Sequence, residues 1–210
     1  MASGRERAYQ FLKDSVLSDP DMQGQFINEQ DLADRIGVSR TPIREALLML
    51  AAEDLIRLVP KKGAYVPAVT PRELAELFEL REVLESHAAG ALIARGGIEA
   101  LEPMWNAYSR QAELVERAGQ LREFIEQDHL FHSALVAAAG NQLYSRVYEG
   151  LRARQIVAGI TAVYQGQARQ REVLREHREI LAALESGNLD TVHAAIRAHL
   201  AATLNVLLAR

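Results

Sequence analysis

The sequence predicts a mainly α fold in two parts: a small N-terminal unit over residues 1–69 and an antiparallel bundle of six helices over residues 70–210. Two observations carry that expectation. Before Val69, short helical patterns are broken by Gly24, Gly37, Pro60 and Gly63. After it, long helical patterns follow, with no convincing strand pattern among them. The change is marked by Thr70-Pro71-Arg72-Glu73, which combines a threonine cap, a proline at the first helical position and a returning glutamate.

The first unit opens with a helix over about 5–17, and helices over about 29–36 and 41–54 follow. Asn28 is a plausible N-cap for the second of these, with Asp31 in its first turn. Two apolar runs, 55–59 and 64–66, flank Pro60-Lys61-Lys62-Gly63 and read as a hairpin. The spacing of Ala33, Gly37 and Ile43 is informative. Two steeply crossed helices need a small residue at their contact, glycine in the sharp turn and an apolar residue where the second helix enters the core. Leu32, Ile36, Leu47 and Leu50 complete that core, and the whole reads as a winged helix-turn-helix.

Charge supports this reading locally rather than globally. The chain carries a net −4, yet residues 35–62 hold six basic side chains against three acidic ones. Two of the only three lysines are Lys61 and Lys62. Arg40 and Arg44 share one face at the start of the second helix of the pair, where a recognition helix meets base edges. Arginine grips guanine O6 and N7 as a fork. Ser39 or Thr41 can cap this helix, Thr41 and the helix N-terminus suit a phosphate, and Lys61 and Lys62 suit the backbone or the minor groove. The partner expected is an operator in double-stranded DNA.

The bundle helices fall at about 71–95, 99–118, 120–139, 142–165, 168–186 and 189–208, punctuated by Gly96-Gly97, Gly119, Gly140, Gly166 and Gly187. Asn141 and Asn188 look like N-caps, and Pro103 kinks the second helix or delays its start. Asp128 and His132 lie four apart on the apolar face of the third helix, while His177 and His199 sit mid-way along the apolar faces of the fifth and sixth. An unpaired carboxylate among core side chains is costly, and a divalent cation held by these four residues is the simplest compensation. His87, His129 and His193 are read as non-ligands, with His87 expected near the cavity. Arg81 and Glu85 make an i,i+4 pair on the first helix, either structural or available to an effector; Arg152 and Arg154 are weaker candidates of the same kind.

Several classes are disfavoured. With no cysteine there are no disulfides and no thiolate sites, which fits a cytoplasmic protein. No apolar run reaches the length of a membrane span, and residues 1–11 lack the apolar stretch of a secretory signal. The rival reading is a metal-dependent helical-bundle enzyme, di-iron-like or hydrolytic, joined to a nucleic-acid-binding module. A di-iron bundle needs two Glu-x-x-His motifs, whereas only Glu126-Gln127-Asp128-His129 fits. No phosphate loop, nucleophile elbow or His-Glu-x-x-His is present.

Residues 32–47, Leu-Ala-Asp-Arg-Ile-Gly-Val-Ser-Arg-Thr-Pro-Ile-Arg-Glu-Ala-Leu, followed by Pro60-Lys61-Lys62-Gly63, resemble the winged helix of GntR-family transcription regulators. The remainder resembles the FCD effector domain of the FadR branch, in its six-helix VanR-like form. The resemblance implies that Arg40 and Arg44 contact bases, that Thr41 contacts the backbone and that the Gly63 wing enters or borders the minor groove. Some relatives carry arginine where this chain has Gln30, so the resemblance does not extend to a third arginine–base contact. Metal-binding members of the branch carry Asp-x-x-x-His, Glu-His-x-x-Ile and a late His-Leu. Here these are Asp128 to His132, Glu176-His177-Arg178-Glu179-Ile180 and His199-Leu200. The resemblance thus implies a zinc, nickel or manganese ion with open positions for a small carboxylate effector, and Arg81 as a residue that grips it. A homodimeric, ligand-responsive, non-enzymatic regulator is the expectation.

Overall fold

The computed structural model describes residues 3–209 other than 18, 54, 97, 116, 118 and 165. Asp54 and Gly97, which entered the charge count and the helix punctuation above, lie outside the described residues. The chain divides into two compact units, Met1–Thr70 and Pro71–Arg210.

In the first unit, α1 (Gly4–Phe11) runs on through a wider helical turn at Leu12–Val16. Next come β1 (Phe26–Ile27), α2 (Glu29–Ile36), α3 (Arg40–Ala52), β2 (Arg57–Val59) and β3 (Gly63–Tyr65). Asn28 caps α2 by accepting from the Gln30 and Asp31 amides at 2.9 and 3.3 Å. Gly37 ends α2 at φ 70°, ψ 47°, left-handed backbone that disfavours a Cβ. Leu32, Ala33, Ile43, Leu47 and Leu50 are buried together, while Ile36 is only half-buried.

Two details differ from the sequence reading. Ser39 occupies the N-cap position of α3 but its side chain makes no capping bond, and Thr41 lies inside the first turn because the helix starts at Arg40. The hairpin is also the larger part of a three-stranded antiparallel sheet of order β1-β3-β2, in which Ile27 pairs with Ala64 and Phe26 with Tyr65. A two-residue strand has no periodicity to read; its pairing partner, supplied from far along the chain, defines it.

The second unit contains α4 (Pro71–Ala94), α5 (Glu102–Val115), α6 (Leu121–Ala138), α7 (Gln142–Gly150), α8 (Arg152–Val163), α9 (Gln167–Ser186) and α10 (Leu189–Leu208). Pro103 falls in the first turn of α5, and a short 3₁₀ segment, Ile98–Leu101, precedes it, so the α-helix starts later than expected. The helix expected over 142–165 is divided at Leu151, whose amide bonds the Tyr148 carbonyl at 3.0 Å in a tighter turn. The break falls between Tyr148, which donates to Glu85 at 2.7 Å, and Gln155, whose Oε1 meets His129 Nδ1 at 2.7 Å. Asn141 and Asn188 cap α7 and α10, as expected. α5 packs on α6, and α10 packs on α4 and α9. Phe124, Phe131, Leu135, Ile180 and Leu181 lie in the interior, each contributing about 2 kcal/mol of apolar burial.

Candidate functional site

At the start of α3, Ser39, Arg40, Thr41 and Arg44 are all exposed. Arg40 and Arg44 are not independent, because Glu29 Oε2 accepts from Arg44 Nε at 2.9 Å and from Arg40 Nη2 at 3.3 Å. Glu29 was not singled out in the sequence; it lies eleven and fifteen residues from the arginines, a separation without helical meaning. At the hairpin tip, the Lys62 amide bonds the Val59 carbonyl at 3.0 Å, which closes a turn. Lys61 occupies its third position at φ 64°, where glycine or asparagine is usual. Lys61 and Lys62 are exposed, and Gly63 adopts φ 102°. The six basic side chains of this segment therefore include four at two exposed edges of one small unit.

In the bundle, Asp128, His132, His177 and His199 come together, each offering a ligand atom within 4.8 Å of the others. His132 Nε2 is 3.1 Å from His199 Nε2 and 3.2 Å from His177 Nε2, and Asp128 Oδ1 is 3.4 Å from His177 Nε2. Each imidazole is held from behind. His132 Nδ1 meets Glu85 Oε2 at 2.8 Å, His177 Nδ1 meets Gln111 Oε1 at 2.8 Å, and His199 Nδ1 meets Glu176 Oε2 at 2.7 Å. Gln111 is oriented by its own amide, which donates to the Phe124 carbonyl at 3.2 Å. All three partners are oxygen acceptors, so the ring hydrogens belong on Nδ1 and the Nε2 lone pairs face one another.

Three lone pairs at this separation repel unless a proton or a metal cation lies among them. Nitrogen ligands on one tetrahedral zinc, at about 2.0–2.1 Å from the ion, lie roughly 3.3 Å apart, so the donor set fits a metal. The protonation states agree. Burial, aided by the neighbouring His199 and His132, holds His177 well below its usual pKa. Burial lowers His199 as well, although Glu176 opposes this. Burial would raise Glu85, but His132 and Arg81 outweigh it and hold the carboxyl well below its usual range. An ionised Glu85 together with His177 and His199 rings that resist protonation is what a cation site requires.

Asp128 and His199 also line a small cavity of about 20 Å³ together with Arg81, Gln155, Arg169 and Thr203. Room of that size suits roughly one water-sized group. Arg81 donates from Nε to Glu85 Oε1 at 2.9 Å, and Tyr148 donates to the same oxygen at 2.7 Å. Arg169 bonds Glu176 at 2.6 Å and Thr203 at 2.8 Å, yet its buried Nε has no acceptor, nor does Gln155 Nε2. The cavity is thus lined by two arginines, each paired with a carboxylate, by the Asp128 carboxylate and by Gln155, and Arg169 and Gln155 each keep one buried N–H donor without an acceptor.

Other candidates lie elsewhere. Arg152 donates to Glu126 at 3.3 Å and is not among the residues of this cavity. His129 bonds Gln155 Oε1 at 2.7 Å, His87 packs edge-on against Tyr144, and His193 faces the Ser86 carbonyl. Arg169, Gln155, Gln111 and Tyr148 were missed in the sequence. The one local signal was the Glu176-His177 pair, but Glu176 serves His199.

Residues 5–66 match the family described as bacterial regulatory proteins, gntR family, and residues 76–202 match the FCD domain. A Paenarthrobacter nicotinovorans protein named "Probable D-xylose utilization operon transcriptional repressor" is 30% identical over 85% of this chain and 77% of its own length. The HTH-type transcriptional repressor RspR of Escherichia coli strain K12 is 27% identical over 93% of this chain and 85% of its own. Among solved structures, Escherichia coli McbR/YncC superposes with a TM-score of 0.80 at 22% identity, covering 100% of this chain and 99% of that one. That likeness speaks to the fold.

Proposed function

The chain belongs to the gntR family of bacterial regulatory proteins and carries an FCD domain, and from that premise we propose that its bundle is a metal-dependent receiver for a small carboxylate. The chain is a DNA-binding transcription regulator, as its relatives are. The rival enzyme reading falls with the family, and the geometry argues the same way. Glu126 is engaged by Arg122 and Arg152, and His129 by Gln155 and Glu149, so the one Glu-x-x-His pair does not form a ligand pair.

The observation that carries the proposal is the convergence of three lone-pair-bearing Nε2 atoms and the Asp128 carboxylate beside a cavity rich in donors. Asp128, His132, His177 and His199 would hold the ion: zinc first, since three imidazoles and a carboxylate suit it, with nickel or manganese as alternatives. A bound ion would supply a positive centre for a carboxylate oxygen. Arg81 orients the acid, and the unsatisfied N–H groups of Arg169 and Gln155 receive its other oxygens. Because the cavity is small, the acid binds a wider form of the bundle, and a ligand that prefers one form shifts the population. Arg40, Arg44, Ser39 and Thr41 read the operator, with Lys61, Lys62 and Gly63 alongside as the wing. Two copies read a two-fold site as a homodimer in the cytoplasm. No helix of the described residues is long and apolar enough to cross a membrane.

The test uses duplexes enriched from a randomised pool by the zinc-loaded chain. Acetate, lactate, malate and citrate are screened for a rise in melting temperature and a change in duplex affinity. One or more acids should do both, and His199→Ala should abolish the response. A response that survives His199→Ala, or no response to any acid, removes the receiver reading. Independently, Arg40→Ala should lose selectivity for the enriched duplex.

A further inference from the structure

Glu29 is the first helical residue of α2, and its carboxylate sits beneath both arginines at the start of α3. Its side chain is 21% exposed, against 54% for Arg40 and 60% for Arg44. The carboxylate is thus the inner member of a three-charge cluster whose outer members face outward. We infer that Glu29 is a positioning residue that determines specificity: it holds the two arginines for base reading and withholds them from the phosphate backbone. The inference rests on the proposed reading of Arg40 and Arg44 as base contacts.

The geometry gives each arginine a restricted role. Arg44 is tied through Nε, so its free edge is the Nη1/Nη2 pair, a fork whose two donors can meet the O6 and N7 acceptors of guanine. Arg40 is tied through Nη2. An untethered arginine adapts to any nearby phosphate, and such contacts carry no sequence information. A tethered arginine has already lost part of the freedom that binding would remove. The carboxylate also subtracts one charge from the face, which weakens sequence-independent attraction. Partial burial would raise the Glu29 carboxyl, but hydrogen bonds from Arg44 and Arg40 hold it below its usual range, so it is ionised at neutral pH.

A second role for Glu29, an acid in the first turn of a helix, concerns stability alone, and the test separates the two. The full chain and its Glu29→Gln and Arg44→Ala variants are titrated with a duplex enriched from a randomised pool by the unmodified chain. A shuffled duplex of the same composition is the control. Affinities are measured across a salt series, and melting temperatures are recorded in parallel. Glu29→Gln should bind the shuffled duplex more tightly, with a salt dependence steeper by about one phosphate contact. Its enriched-to-shuffled ratio should fall on the order of tenfold. An unchanged ratio, with or without a lower melting temperature, overturns the inference and leaves Glu29 a helix-start residue. If Arg44→Ala keeps the full ratio, the base-reading role of Arg44 fails and the inference falls with it. If Arg44→Ala loses the ratio and Glu29→Gln keeps it, only the inference fails.

Discussion

Replacing His177 with alanine separates a metal ligand from an ordinary core histidine. The ring is fully buried and stacked on Phe131 at 4.1 Å between centroids, with Nδ1 bonded to Gln111. In chelator, the void should cost about 2–3 kcal/mol on the scale of core truncations. Stranding the Gln111 oxygen adds about 1–3 kcal/mol. Relief of the lone-pair repulsion at the 3.2 Å contact with His132 brings the sum toward its lower end. In zinc at about a hundred times its Kd, the parent gains roughly 2.7 kcal/mol by mass action. For a chain of this size that is about 5–10 °C in melting temperature. Calorimetry of both proteins, in chelator and in zinc, reads the two effects separately. The variant should melt lower in chelator and gain almost nothing from zinc. An equal zinc-dependent rise in parent and variant would refute the ligand assignment, whatever the variant's absolute stability.

The same site should make the chelated protein acid-sensitive. His177 and His199 have folded-state pKa values below 6.5, so the unfolded chain takes up protons first as pH falls through that value. Stability should then decline by on the order of 1 kcal/mol per pH unit for each imidazole, and further below about 4.5 as Glu85, lowered in the fold, adds its share. Denaturant melts that show no slope between pH 6.5 and 5.5 would contradict this. At the hairpin, Lys61→Gly should relieve the left-handed backbone at φ 64° and stabilise the chain by about 0.5–1 kcal/mol. It should also weaken DNA binding and lower the salt slope by about one contact; an unchanged slope would place Lys61 off the backbone.

Local chemistry made much of the fold legible. Asn28 and Gly37 bracket α2 because an N-cap and a left-handed end act within a few residues of themselves. Asp128 and His132 could be paired because four residues is about one helical turn. The break at Leu151 was not legible, since Gly150 in a helical run is compatible with continuation; tertiary partners on the two sides decide it. Glu176 shows the limit most clearly. It precedes His177 in the chain, yet neighbours on a helix point about 100° apart, so it orients His199 from another helix instead.

From its own residues, the chain specified where most helices begin and end, which faces are apolar, and that one carboxylate and three imidazoles lie on such faces. Those properties depend on interactions within a turn or two. Tertiary structure alone decided that Glu85, Gln111 and Glu176 face the Nδ1 atoms, that Arg169 and Gln155 line one cavity and each keep a buried donor without an acceptor, and that Glu29 holds Arg40 and Arg44. Those contacts join segments that meet only once the apolar faces have packed, and no periodicity in the chain encodes them.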